Sequence, residues 1–289
     1  MTTATLSRLT VLAALVALAL PLAALATGDA GKNAKRARSV NTRVLYATDT
    51  AGNLHSFPAA LPWLSSAKQI TGLPAGVSLS GIDFRPATGD LYALGSDKVV
   101  YRVNPRTAIA VAEGPAFEAA PAALKGDRIG FDFNPTVDKI RVTSDADDSL
   151  RLDPDAGSLL ASDKALTPAG VTVVGSAYTS SSFAAFANRP AATMLFAYDT
   201  GSGADTLWLQ QPANDGTLMN PRQLGLDLGR DVGFDIAGAR DVGYVAGTRA
   251  GRAGAELFTV DVTTGATRKL GRIGSGDLTI TGLAAWQDQ

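Results

Sequence analysis

The chain has 289 residues, no cysteine, one histidine and a formal net charge of −1 at pH 7. The lack of cysteine excludes disulfides, thiol nucleophiles and Cys-ligated metal sites, and the lack of basic excess argues against a nucleic-acid binder. Hydrophobic residues make up 46% and charged residues 18%, which indicates a folded chain.

The amino terminus has the pattern of an export signal. Arg8 provides a positive charge, Leu9 to Leu25 is almost wholly Ala, Leu and Val, and Ala24-Leu25-Ala26 gives the small-x-small pattern of a cleavage site. The pattern predicts a signal peptide at residues 1–26 and a secreted or periplasmic protein without a membrane span after cleavage. The alternative is an uncleaved membrane anchor, but no stop-transfer pattern follows.

Residues 27–41 are rich in Gly, Ala and charged residues, so they offer little surface to bury and are expected to form a flexible linker. Their four basic residues lack interleaved aromatic side chains, which is poor support for a nucleic-acid site. One domain is therefore predicted over residues 42–289. Most acidic residues are Asp rather than Glu, a bias that favours turns over helices.

A glycine-centred unit recurs along this domain and predicts its architecture. Its glycines are 49, 45, 58 and 49 residues apart, close to the length of a four-stranded propeller blade. The strong copies are Gly81-Ile82-Asp83-Phe84, Gly130-Phe131-Asp132-Phe133 and Gly233-Phe234-Asp235-Ile236, and the weaker ones are Gly175-Ser176-Ala177-Tyr178 and Gly282-Leu283-Ala284-Ala285.

Further β-like runs follow each unit after turn residues such as Pro, Asn and Asp. Second strands are predicted at Leu91–Leu94, Ile140–Thr143, Met194–Tyr198 and Val242–Ala246. Third strands are predicted at Val99–Val103, Leu150–Leu152, Leu207–Leu209 and Leu257–Val260. Fourth strands are fainter, at Ala108–Ala112 and Ala266–Leu270.

The two ends of the domain complement each other. Ile280 to Trp286 is a first strand with no second strand after it, and Arg43 to Asp49 is a second strand lacking its first. Pairing them would close a ring and remove two exposed sheet edges. The expected fold is an all-β, five-bladed propeller with four strands per blade. A β-sandwich and a six-bladed propeller are the alternatives.

The run from Ile129 to Ser144, which continues from Leu150 to Gly157, resembles a bacterial secreted family catalogued as domain of unknown function 4394. Gly175–Thr179, Leu209–Leu218 and Val232–Ile236 are also similar to it, and the resemblance covers about Val44 to Ala285. It implies an exported, propeller-like domain. Because the family has no assigned activity, the resemblance transfers no catalytic residue.

The repeated Asp provides the first candidate site. Gly and Asp of each unit share one strand face, so Asp83, Asp132 and Asp235 are candidates to line a central channel. There they could bind a cation such as calcium, or act on a sugar as acid, base and orienting group. The simpler interpretation is that each Asp holds the backbone amides of the turn after it. Ala177 and Ala284 replace it in the other two units.

Other candidates are weaker. The run of Asp145, Asp147, Asp148, Asp153 and Asp155 lacks EF-hand spacing, so a solvated hairpin turn is expected. His55 is the only possible base for a Ser-His-Asp triad, but no G-x-S-x-G elbow accompanies it, and an ordinary strand or loop residue is expected. Trp63, Trp208 and Trp286 could stack on sugars but are expected in the core.

No catalytic set is therefore identified. The leading hypothesis is a monomeric extracytoplasmic module that binds an unknown extracellular ligand or envelope component through one face or the channel mouth. A carbohydrate hydrolase or lyase with acidic channel residues is the first alternative, and it requires a carboxylate pair about 5–10 Å apart in an open pocket. A structural envelope protein with a plugged channel is the second. No cofactor is predicted beyond the calcium considered above.

Overall fold

The computed structural model describes residues 43–117, 124–183, 188–201, 203–238 and 240–286. The predicted signal peptide and linker, residues 1–41, lie outside these ranges. The described residues form five four-stranded antiparallel sheets, here called blades 1 to 5. None of the helices described is long and apolar enough to cross a membrane.

The strands of each blade run from the innermost to the outermost in the order given. Blade 2 contains β4 (Leu79–Phe84), β5 (Leu91–Gly95), β6 (Val100–Val103) and β7 (Ala110–Ala112). Blade 3 contains β8 (Ile129–Asn134), β9 (Lys139–Ser144), β10 (Ser149–Leu152) and β11 (Leu159–Ser162). Blade 4 contains β12 (Val173–Tyr178), β13 (Leu195–Asp199), β14 (Thr206–Gln210) and β15 (Leu218–Gln223).

The last two blades include the ends of the domain. Blade 5 contains β16 (Leu228–Ala237), β17 (Val242–Arg249), β18 (Glu256–Asp261) and β19 (Thr267–Arg272). Blade 1 takes its inner strand from the carboxyl end of the chain, and it contains β20 (Ile280–Ala285), β1 (Val44–Asp49), β2 (Asn53–Pro58) and β3 (Ser66–Gln69).

Pairing of β1 with β20 closes the ring. Leu45 lies opposite Ala285 and Ala47 opposite Leu283, and the Trp286 amide donates a 2.9 Å hydrogen bond to the Val44 carbonyl. The inner strands pack in a cycle, with β4 beside β8, β8 beside β12, β12 beside β16, β16 beside β20 and β20 beside β4. The prediction of five blades closed by the two terminal strands is confirmed, and the sandwich and six-bladed alternatives are wrong.

Burial decreases from the ring axis outward. Every residue of β12 is buried, whereas every residue of β3 is exposed. Inner strands are covered on both faces by neighbouring blades, so most of their residues are buried and they do not alternate between buried and exposed positions. The hydrophobic core accordingly lies in layers between blades: Phe196 and Leu207 of blade 4, for example, share one cluster with Phe234 and Phe258 of blade 5.

Several Asp and Asn side chains form short Asx turns between strands. In the turn between β8 and β9, Asn134 Oδ1 accepts a 2.9 Å hydrogen bond from the Thr136 amide, and Asp138 takes a left-handed φ of 55°. Asp153 and Asp261 accept amide hydrogen bonds from residues two and three positions later in the same way. These side chains replace backbone partners in tight turns, which agrees with the turns predicted between the strands.

Candidate functional site

The motif glycines allow the inner strands to approach each other closely around the axis. A Cβ on Gly81 would lie 2.7 Å from the Cβ of Phe131, and one on Gly233 would lie 2.6 Å from the Cβ of Leu283. Ordinary carbon contacts lie at about 3.5–4.0 Å. The glycine of each unit is therefore required by the packing of one blade against the next.

The motif aspartates converge at the centre of the ring. Asp83 lies on β4, Asp132 on β8 and Asp235 on β16, so three different blades contribute. One carboxylate oxygen from each lies within 4.8 Å of the other two. Their exposed fractions are only 2%, 1% and 1%. We call these three residues the Asp cluster.

Each aspartate is bonded to the inner strand of the next blade. Asp83 Oδ2 accepts a 2.8 Å hydrogen bond from the Phe133 amide, and Asp132 Oδ1 accepts one of 3.0 Å from the Tyr178 amide. Asp235 Oδ2 accepts a 2.6 Å hydrogen bond from the Ala285 amide. The amides lie on neighbouring blades rather than in the following turn, because the Gly–Asp face of each strand points at its neighbour.

Blades 4 and 1 have Ala177 and Ala284 at this position, so they offer no carboxylate to the blade that follows. In blades 2 and 5, which follow blades 1 and 4, the aspartate interacts with the amide of its own strand. Asp83 Oδ1 accepts a 2.7 Å hydrogen bond from the Phe84 amide. The Ile236 amide likewise lowers the pKa of Asp235. The three carboxylates thus accept hydrogen bonds from the equivalent amides of four inner strands, and Asp235 lies near the Ile236 amide of the fifth.

Burial makes ionisation of the Asp cluster unfavourable. It raises the pKa of Asp83 and Asp132 well above the ordinary value, and the neighbouring carboxylates raise both further. Burial also raises the pKa of Asp235 to about 6, although its amide contacts and the charge of Arg43 oppose the shift. Like charges in a low-dielectric site cannot all be ionised without a countercharge.

A cavity of about 190 Å³ lies at the end of the ring where the inner strands begin. Ser80 is three residues before Asp83, which places the cavity about 10 Å along the axis from the Asp cluster. All five blades line it through the residue preceding each motif glycine, namely Ser80, Ile129, Val174, Val232 and Thr281. We call this cavity the channel mouth.

Two ion pairs link blades 3 and 5 at the channel mouth. Arg128 Nε lies 2.7 Å from Asp231 Oδ1, and Arg230 pairs with Asp145. Blades 3 and 5 are not neighbours, since blade 4 lies between them. The Arg128 and Arg230 side chains are 36% and 60% exposed, although the Nε atom of Arg128 is buried.

These charged residues were not predicted as site residues. Arg128 and Asp231 each precede a motif glycine by two residues, so aligning the five units would have placed them at the same level of the ring. Asp145, in the predicted solvated turn, has a side chain only 4% exposed and accepts the Asp127 and Arg128 amides. This part of the acidic run therefore holds the loop before β8, and is not a freely solvated turn.

His55 lies on β2 between an acid and a hydroxyl group. Its Nε2 is 2.8 Å from Asp49 Oδ2, and its Nδ1 is 3.2 Å from Ser65 Oγ. Burial acts to raise the pKa of Asp49, but hydrogen bonds from His55 and Asn53 outweigh it and hold that pKa below its ordinary value. The chain thus contains a Ser-His-Asp arrangement that a search for a G-x-S-x-G elbow misses, since such sets are recognised by geometry.

The roles of the imidazole nitrogens are exchanged relative to the serine protease triad, in which Asp bonds Nδ1 and Ser bonds Nε2. His55 is only 3% exposed. The set connects β1, β2 and the residue before β3, so we interpret it as a structural link within blade 1.

The tryptophans do not form one site. Trp63 is 52% exposed and Trp286 is 41% exposed, contrary to the expected core positions. Trp286 packs edge-on against Phe84 with ring centroids 5.0 Å apart, and the half-buried Trp208 donates a 3.1 Å hydrogen bond to Asp199. No shared stacking face follows from these positions.

The closed ring of five four-stranded sheets defines the class of the protein as a five-bladed β-propeller. Within that class, the chain belongs to the family described as Domain of unknown function (DUF4394), whose sequence profile matches residues 53–284. This confirms the family resemblance found in the sequence. No curated protein matches the chain.

Several solved structures are similar to the chain. Kuenenia stuttgartiensis hydrazine synthase is 13% identical with a TM-score of 0.40, covering 70% of this chain and 51% of that one. A Dos1 propeller is 11% identical with a TM-score of 0.40, covering 78% and 56%. A protein from Lactobacillus plantarum is 18% identical with a TM-score of 0.42, covering 86% and 72%. The chain spans about half the length of the first two, and none of these likenesses assigns it an activity.

Proposed function

We propose that the protein is an extracytoplasmic binding module that holds a small ligand carrying an anionic group at the channel mouth. The observation that carries this proposal is the 190 Å³ cavity lined by all five inner strands, whose wall contains Arg128 and Arg230 together with Asp127 and Asp231. Guanidinium groups bind carboxylates and phosphates through paired hydrogen bonds. The extracytoplasmic location depends on the signal peptide predicted at residues 1–26.

The ion pairs at the mouth support a binding role. Asp145 is fixed by two backbone amides, and it in turn positions Arg230. A ligand anion can compete with Asp231 for Arg128 because that carboxylate side chain is 35% exposed. The arginine side chains are thus oriented in advance, which lowers the entropic cost of binding.

The geometry does not favour the hydrolase alternative for the Asp cluster. Glycoside cleavage uses two carboxyl groups that flank the bond in an open pocket, about 5–10 Å apart. The three residues of the Asp cluster are almost completely buried, so they do not line an open pocket that a sugar could enter. The cavity at the channel mouth favours a binding module over a structural protein with a plugged channel.

A thermal-shift and calorimetry panel tests the proposal. Small carboxylates, amino acids, inorganic phosphate and neutral sugars are each added to the purified protein. A ligand at one hundred times its Kd stabilises the native state by about 2.7 kcal/mol, which raises the Tm of a domain of this size by roughly 5–10 °C. We expect an anionic compound to give this shift and neutral sugars to give none.

Variants connect the binding to the mouth. Arg128→Gln with Arg230→Gln is expected to abolish the shift, whereas Arg268→Gln, an exposed arginine on the outer strand β19, leaves it unchanged. Binding of the anion by the double variant with the affinity of the wild type would contradict the proposal, as would a panel in which only neutral sugars bind.

A further inference from the structure

The Asp cluster has many more acceptor positions than donors. Each ionised carboxylate offers about four lone-pair positions. The four hydrogen bonds of ordinary geometry that the cluster receives come from backbone amides, those of Phe84, Phe133, Tyr178 and Ala285. Oδ1 of Asp235 is buried and has no hydrogen-bond partner among the described residues. A buried oxygen of this kind is costly unless something else binds it.

The side chains that the structure describes only partly balance the charge of the cluster. The guanidinium of Arg43 acts on Asp235. The groups that favour ionised Asp83 and Asp132 are the neutral backbone amides, while the neighbouring carboxylates oppose it. Three buried carboxylates facing one another therefore require either bound protons or a bound cation.

We propose that the Asp cluster binds one calcium ion through Asp83, Asp132 and Asp235, joining blades 2, 3 and 5 at the ring axis. Oδ1 of Asp235, whose residue is 99% buried, would gain in the ion the partner that it lacks among the described residues. This site is separate from the channel mouth and does not depend on the function proposed there.

The chemistry of the ligands favours calcium over magnesium. Calcium accepts carboxylate oxygens in flexible geometry at about 2.3–2.6 Å, whereas magnesium demands near-ideal octahedral geometry at about 2.0–2.1 Å and loses its water reluctantly. Three carboxylates that are almost completely buried therefore suit calcium, which exchanges water for protein oxygens more readily.

Calcium binding would hold the ring together. Each ligand lies on an inner strand, and the blades that supply them are not all neighbours, since blade 5 is separated from blades 2 and 3 by blades 1 and 4. A cation shared by the three carboxylates links these sectors directly. Such a contact is lost on unfolding, so bound calcium stabilises the native state by mass action.

Metal content and calorimetry test the site. The purified protein is stripped with EDTA, dialysed against calcium or magnesium at pH 7.5, and analysed for bound metal. We expect about one calcium per chain, binding at least tenfold tighter than magnesium, and a Tm that rises with calcium. Binding is expected to release protons, because the carboxyl groups must ionise to coordinate the ion.

Variants locate the ion. Asp132→Asn keeps an oxygen that accepts the Tyr178 amide but removes a charged ligand, so we expect calcium affinity to fall at least tenfold. The matched control is Asp205→Asn, because Asp205 is another buried carboxylate, whose pKa burial raises to about 6, and it is not part of the cluster. This control is expected to keep one calcium per chain.

The wild-type measurement decides the proposal even if a variant fails to fold. Less than a tenth of a calcium per chain after dialysis against 1 mM calcium, with an unchanged Tm, would overturn it and leave the cluster protonated. Unaltered calcium affinity in folded Asp132→Asn would also overturn it. Failure of anion binding at the channel mouth would leave both results unaffected.

Discussion

Replacing Gly233 with alanine tests the close packing of inner strands on which the ring depends. The new Cβ would lie 2.6 Å from the Cβ of Leu283 and 2.7 Å from its backbone nitrogen. Ordinary contacts of this type need about 3.5 Å or more, so β16 and β20 would have to separate by about 1 Å. Neither the Cβ nor the backbone nitrogen of Leu283 moves when its side chain rotates, and β20 is also packed against β4, so a rotation cannot relieve the strain.

Overpacking of this kind costs about 1–3 kcal/mol, and a clash against backbone belongs at the upper end. We expect Gly233→Ala to lower the free energy of unfolding by about 3 kcal/mol, or the Tm by roughly 6–12 °C. Urea unfolding followed by tryptophan fluorescence measures the change, provided that the m-value stays the same.

Gly229→Ala is the matched control because Gly229 lies on the same strand, is exposed, and would place its Cβ 3.7 Å from its one near neighbour, the Thr248 carbonyl oxygen. We expect it to change the unfolding free energy by less than about 0.5 kcal/mol. Equal effects of Gly233→Ala and Gly229→Ala, or a negligible effect of the former, would refute the packing argument.

Two further predictions concern the pH dependence of stability, which depends on the Asp cluster, and the Ser65–His55–Asp49 set of blade 1. In calcium-free protein, the folded pKa of Asp235 exceeds its unfolded value, so the native state binds more protons and stability must fall as the pH rises from about 4 to 7. The shift from 3.8 to about 6 corresponds to roughly 3 kcal/mol, measured by urea unfolding across this pH range. Ser65→Ala is expected to leave the hydrolysis of p-nitrophenyl acetate unchanged, whereas His55→Ala lowers the Tm because Asp49 loses a buried partner.

Each of these outcomes has a clear opposite. Stability that rises between pH 4 and pH 7 without calcium would mean that the Asp cluster is not protonated in the native state. Turnover of the ester by the wild type that disappears in Ser65→Ala would mean that Ser65, His55 and Asp49 form a catalytic set despite the exchanged nitrogens.

The sequence predicted the blade number and the convergence of the aspartates because both follow from a repeated unit. Gly81 and Asp83 recur in step with the blade, and the incomplete first and last units indicated closure. The outer strands were harder to predict. The strand Ser66–Gln69 is exposed throughout, and Leu218–Gln223 contains a proline, so neither shows the apolar alternation that marks a strand.

Contacts between distant segments could not be predicted from local pattern. Arg128 and Asp231 pair across the channel mouth although 103 residues separate them, and the spacing of the repeat alone does not specify which charges face each other. The partner of each cluster aspartate, an amide of the next blade, likewise depends on the direction in which the strand faces its neighbour. Local sequence favoured the following turn instead.

Cross-linking the two ends of the domain tests the closed ring most directly, because the natural chain has no cysteine. Val44 and Trp286 are 36% and 41% exposed and join β1 to β20 through the Trp286 amide. Hydrogen-bonded antiparallel pairs have Cα atoms about 5.5 Å apart, which suits a disulfide.

On mild oxidation, the variant Val44→Cys/Trp286→Cys is expected to lose both free thiols and to migrate as a cyclised monomer on a non-reducing gel. The control pair Val44→Cys/Met219→Cys, with its second cysteine on blade 4, is expected to stay reduced. Two free thiols in a folded Val44→Cys/Trp286→Cys protein would contradict the closed ring and the central Asp cluster together.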